Sequence, residues 1–107
     1  MMGKITALRA SKGRGKRVNV FLDGKFAFSL GADVLAREGL QPEQMLSAER
    51  IEVLVRCDRY ERCLNAATHY LGYRPRSQSE LRERLQQRGF DSEAQEAVIA
   101  KLKEQGL

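Results

Sequence analysis

At 107 residues the chain has room for one domain or two small modules around a modest core, since folding at this size removes only about two-thirds of the exposed chain surface. With 42% hydrophobic and 31% charged residues it carries enough apolar groups to offset ordering entropy, which excludes a disordered chain, and no run approaches the roughly 18 apolar residues of a membrane-spanning helix. The formal charge of +5 is uneven: residues 1–30 hold seven Lys/Arg against one acid, and residues 31–107 hold twelve against thirteen.

The start, Met1 to Lys4, lacks the apolar block of a secretory signal, so a cytoplasmic protein is expected. Lys4 to Arg9 reads as a short strand with Ile5 and Leu8 apolar, and Lys12 to Lys16 as a cationic, glycine-rich loop. Strands follow at 17–22 and 25–30, joined by Asp23-Gly24, a strong two-residue hairpin signal. Simple alternation puts Val18, Val20 and Leu22 on one face, and Phe26, Phe28 and Leu30 on the same apolar side, to be covered by helices.

From Ala32 the period changes to that of a helix, ending at Gly39-Leu40, with Pro42 beyond it. Ser47 caps a helix whose stripe, Ile51, Leu54, Cys57, Tyr60, Leu64, Ala67 and Leu71, runs to about Tyr73. Ser77 to Glu80 is a capping box for a helix carrying Leu81 and Leu85, and Asp91 caps a last helix with Ala94, Val98 and Leu102 inward. The fold class expected is α+β: a β-hairpin module with a short helix at 1–46, then a three-helix module at 47–107.

A second basic zone lies in the helical part, where residues 56–88 hold eight arginines and four acids. Zones of one sign neutralise phosphates and release their counterions, whereas acids such as Glu61, Glu80 and Glu83 are available to pair with these arginines instead. Gly13 to Arg17 is no P-loop, because Arg17 stands where Ser or Thr should hold magnesium and a strand follows in place of a helix. The amino-terminal end of the last helix carries Asp91, Glu93 and Glu96, which DNA phosphates would repel, so a base-reading helix is not expected there.

His69, the only histidine, has no metal-ligand spacing, and Cys57 and Cys63, about 120° apart around a helix, are too far apart to join and read as reduced, buried small hydrophobes. No nucleophile, acid–base pair or metal cluster is recognisable, so neither catalysis, a cofactor nor a small-molecule substrate is expected. The candidate contact residues are Lys12, Arg14, Lys16 and Arg17 in the first zone, and Arg74, Arg76, Arg82, Arg84 and Arg88 in the second.

Two stretches resemble the RecX family of bacterial regulators of the RecA recombinase. One is Lys16-Arg17-Val18-Asn19-Val20-Phe21-Leu22-Asp23-Gly24-Lys25-Phe26-Ala27-Phe28. The other is Tyr73-Arg74-Pro75-Arg76-Ser77-Gln78-Ser79-Glu80-Leu81-Arg82-Glu83-Arg84-Leu85 with Arg88-Gly89-Phe90-Asp91. The resemblance implies a non-catalytic protein that binds RecA and its single-stranded DNA filament and inhibits filament extension. Family members continue into further three-helix repeats past the segment matching Gln105-Gly106-Leu107, so the expectation is the front module with the first repeat only. The other readings are a stand-alone nucleic-acid-binding module using the basic loop, and a structural or self-association module.

Overall fold

Alternation and turn chemistry build the first half. In the computed structural model, which describes residues 2–12 and 16–106, strands β1 (Gly3–Ala10), β2 (Arg17–Leu22) and β3 (Lys25–Gly31) form an antiparallel meander. The β2–β3 turn has Asp23 at φ 50° and Gly24 at φ 82°, two successive left-handed residues whose twist matches that of the strands they join. A fourth strand, β4 (Met45–Leu46), pairs antiparallel with β1, giving the order β3-β2-β1-β4. The sequence reading placed no strand there. The Ile5 N–H donates to Gln44 O at 2.8 Å and the Glu43 N–H to Ile5 O at 2.7 Å, so the segment after Pro42 is fastened to the sheet.

Helix α1 (Ala32–Arg37) ends where Gly39 turns left-handed and the Leu40 N–H reaches back to Leu35 O. Helix α2 (Ala48–Leu71) is a single 24-residue element started by Ser47, whose Oγ accepts the Arg50 N–H at 3.1 Å. Helix α3 (Gln78–Gln87) has the full reciprocal cap, Ser77 Oγ accepting the Glu80 N–H while the Glu80 carboxylate accepts the Ser77 N–H. It ends at left-handed Gly89 with the Phe90 N–H bonded to Leu85 O. Asp91 caps α4 (Ser92–Glu104) by accepting the Ala94 N–H at 2.9 Å.

The chain divides into two compact units, Met1–Asp58 and Arg59–Leu107, with the division inside α2. In the first, Ile5, Val20, Leu22 and Leu30 of the sheet pack with Val34, Leu40, Leu46, Ile51 and Leu54. In the second, Cys63 and Ala67 pack with Leu81 and Leu85 of α3 and Ala94, Val98, Ile99 and Leu102 of α4. The buried thiol on the α2 stripe is Cys63, whereas Cys57 is only half-buried.

One expectation about the sheet fails for a physical reason. Phe26 does not join the core but is 58% exposed. Val20 opposes Phe28 while Phe21 opposes Phe26, so Ala27 is an extra residue in β3, a β-bulge that turns Phe26 to the opposite face. A matching shift on β1, between Ile5 and Ala7, makes Thr6 the extra residue and lets Ile5 and Leu8, three apart, both face the core.

Candidate functional site

The first basic zone separates into engaged and displayed cations. Lys12 and Lys16 are exposed on either side of the β1–β2 connection, which the Ser11 N–H closes by donating to Arg17 O at 2.9 Å. Arg14 lies outside the described residues. Arg17, expected as a contact residue, is instead a structural cation. Its Nη1 and Nη2 reach Asp58 Oδ1 at 2.9 Å and Oδ2 at 3.0 Å, and Nη2 also donates to Ser29 Oγ at 2.9 Å. Asp58 is 5% exposed and also accepts the Gly31 N–H at 2.8 Å. A fork pairing of this kind uses most of the guanidinium's donors and leaves few for a ligand.

The second zone separates in the same way. Arg59 pairs with Asp91 at 2.8 Å, Arg74 with Glu80 at 3.1 Å, and Arg82 with both oxygens of Glu96 at 2.9 and 3.1 Å. Glu80, one of the acids expected to pair, does so with Arg74, and Asp91, the cap of α4, and Glu96 within it are further partners. The Ser77 N–H, then Arg74, holds the Glu80 carboxyl below its ordinary pKa; Arg82 does the same for Glu96. These pairs are exposed and screened, so exchanging a carboxylate for an external phosphate costs little.

Arg76 and Arg84 converge on one ring. The Arg76 guanidinium carbon lies 4.1 Å, and that of Arg84 5.6 Å, from the centroid of Tyr70. Stacking holds Arg76 half-buried even though its Nε is buried without a hydrogen-bond acceptor among the described residues.

Arg62 and Arg88 fall outside these pairings among the described residues. Arg62 on α2 and Arg88 at the end of α3 line one open concavity of about 420 Å³, with Asn65, Ala66, His69 and Phe90. Positions 62, 65, 66 and 69 share a face of α2 because they step by three and four, and the cap at Gly89 brings Arg88 and Phe90 to that face. His69 Nε2 is 3.0 Å from the Tyr73 hydroxyl, with the rings edge to face, and Tyr73 is 71% exposed. Of these residues only Arg88 is among the sequence-based candidates; the i, i+3, i+4, i+7 spacing of Arg62, Asn65, Ala66 and His69 is the signal in the sequence for the others.

Among the described residues no group of three or more His, Cys, Asp or Glu is placed to hold a metal ion, and no helix is long and apolar enough to cross a membrane. Burial, and then Asp91, push the Cys63 thiol up to about 11, the opposite of the shift that activates a nucleophile.

Sheet unit, three-helix unit and displayed cations define a small two-unit α+β protein. Comparison with known proteins places it further. The family model for the Regulatory protein RecX N-terminal domain matches residues 3–47, and the model for the first three-helix domain of RecX matches residues 63–102. The Regulatory protein RecX of Clostridium perfringens (strain SM101 / Type A) is 32% identical over 106 residues, covering 99% of this chain and 50% of that protein. That of Clostridium botulinum (strain Alaska E43 / Type E3) is 35% identical over 103 residues, covering 96% and 49%. A crystal structure of regulatory protein RecX superposes with a TM-score of 0.70 at 28% identity, over 98% of this chain and 51% of the other. The chain belongs to the RecX family of regulatory proteins, and it spans about half the length of the curated relatives it matches.

Proposed function

We propose that the chain is a non-catalytic, cytoplasmic regulator of recombination and DNA repair that binds the RecA recombinase and its single-stranded DNA filament and restrains filament extension. Family membership points to RecA. The observation that carries the contact is Arg62 and Arg88, two guanidiniums outside the unit's internal pairings, opening onto one concavity. An unpaired guanidinium keeps its planar fork of donors for phosphate or carboxylate, and two of them across a groove suit a polyanion. Lys12 and Lys16 add displayed charge in the sheet unit, while Arg74, Arg76, Arg82 and Arg84 serve as exchangeable secondary contacts. Ligand-dependent restraint then follows from stabilising a filament state that grows poorly.

Co-sedimentation of the chain with RecA-coated single strands tests this reading. Saturable pelleting accompanied by slower filament growth is expected; a chain that stays in the supernatant and leaves RecA's ATP turnover unchanged would contradict it. A second reading, nucleic acid binding without any recombinase, is favoured by the exposure of Lys12 and Lys16. It predicts equal affinity for naked and RecA-coated strands.

A further inference from the structure

The bulges that expel Phe26 from the core also create a surface. Phe21 lies between buried Val20 and Leu22 and so points to the face away from the core, where Ala7 opposes it across the sheet. The Phe26 ring meets it edge to face at 6.0 Å and 75°. Arg9, one residue beyond inward-facing Leu8, stacks its guanidinium 5.6 Å from the Phe21 centroid. A 58% exposed phenylalanine is costly in water, and here it meets a second ring on which a flat cation is stacked.

No acid precedes Asp23 in the sequence, and of the cations that do, Arg9 stacks on this face while Lys12 and Lys16 are exposed in the connection between β1 and β2; Lys4 pairs with Glu43 and Arg17 with Asp58. An apolar protein segment would gain from the rings but not from the cations, and a duplex would meet the cations but could not offer a free base face to the rings. An unpaired strand uses both, with bases against aromatic faces and phosphates against Arg and Lys.

We infer that Arg9, Phe21 and Phe26 form a stacking platform for unpaired bases of single-stranded DNA on the outer face of the sheet. The inference deepens the proposed function, on which it rests, by giving the sheet unit a preference for single strands that displayed charge alone does not provide. Phe26 offers its free surface to a base, and Arg9 braces Phe21 while contributing charge to the adjoining phosphate.

The test measures fluorescence anisotropy of the whole chain with three labelled ligands of equal length: oligo-dT, the same phosphodiester made abasic, and a duplex. Phe26→Ala, a change at an exposed position, is expected to weaken oligo-dT binding about tenfold. Duplex and abasic binding should stay unchanged, and Phe26→Tyr should restore the affinity. Wild type should bind the abasic strand about as weakly as Phe26→Ala binds oligo-dT. Equal affinity of wild type and Phe26→Ala for oligo-dT overturns the platform while leaving the filament reading standing. Equal losses on oligo-dT and duplex overturn it as well, because they mark a charge or folding effect. If Phe26→Ala lowers affinity for RecA alone and not for oligo-dT, the face belongs to a protein partner and the inference fails. Absence of any wild-type binding to oligo-dT would overturn both this inference and the DNA part of the proposed function.

Discussion

The guanidinium of Arg17 is gripped by Asp58 and Ser29, and the same carboxylate satisfies the Gly31 N–H. Removing Asp58 strands a half-buried cation and a backbone donor together. Asp58→Ala should therefore lower stability by about 3 kcal/mol in urea unfolding; a loss within a few tenths would mean that Arg17 is not held as described. Cys63 makes a pH prediction. Its folded thiol sits at about 11 against an ordinary 9.0, so the folded state keeps a proton that the unfolded chain releases. That contribution is complete below pH 9 and is lost as pH climbs towards 11. The stability gap between wild type and Cys63→Ala should accordingly narrow between pH 9 and pH 11, read from denaturant midpoints at each pH. The same burial makes Cys57 the thiol that reacts first with a disulfide reagent at neutral pH.

At the scale of elements, the helix ends are the most local structures in the chain. Ser77→Ala removes one arm of the α3 capping box and should lower stability by about 1 kcal/mol. Because Glu80 is held below its ordinary 4.5 first by the Ser77 N–H, the cap's electrostatic contribution is present above that pH and fades as pH falls below it. Wild type should thus lose more helicity than Glu80→Gln on acidification, followed by circular dichroism; equal losses would remove the cap from the acid response. These elements were legible in the sequence because their causes lie within a few residues: Asp23-Gly24 for the hairpin, Ser77 with Glu80 for a start, Gly39 and Gly89 for stops. Other features were not. Met45–Leu46 is too short to show a period, and its pairing with Gly3–Lys4 depends on the chain returning across the sheet. The Arg17–Asp58 pair spans 41 positions, so a cation that reads as displayed in the sequence is internal in the fold. The bulges left a faint mark, since Ile5 and Leu8 are three apart and cannot share a face of a regular strand.

At the scale of the molecule, a list of basic residues overstates what is free to bind, and the fold sorts them. Arg59 and Arg82 answer to Asp91 and Glu96, whereas Arg62 and Arg88 open onto solvent in the α2–α3 concavity. Further three-helix repeats displaying similar arginines would multiply such contacts, since tandem modules raise effective concentration. The central claim is that displayed cations, and not basic residues in general, hold the polyanionic filament. Two charge-matched variants, Arg62→Gln/Arg88→Gln and Arg59→Gln/Arg82→Gln, isolate it. The most direct measurement is the slope of log affinity against log salt for binding to RecA-coated single strands. The Arg62/Arg88 pair should flatten that slope by about one unit or more, and the Arg59/Arg82 pair, whose guanidiniums must first leave Asp91 and Glu96, by less; identical slopes for the two variants would contradict the account.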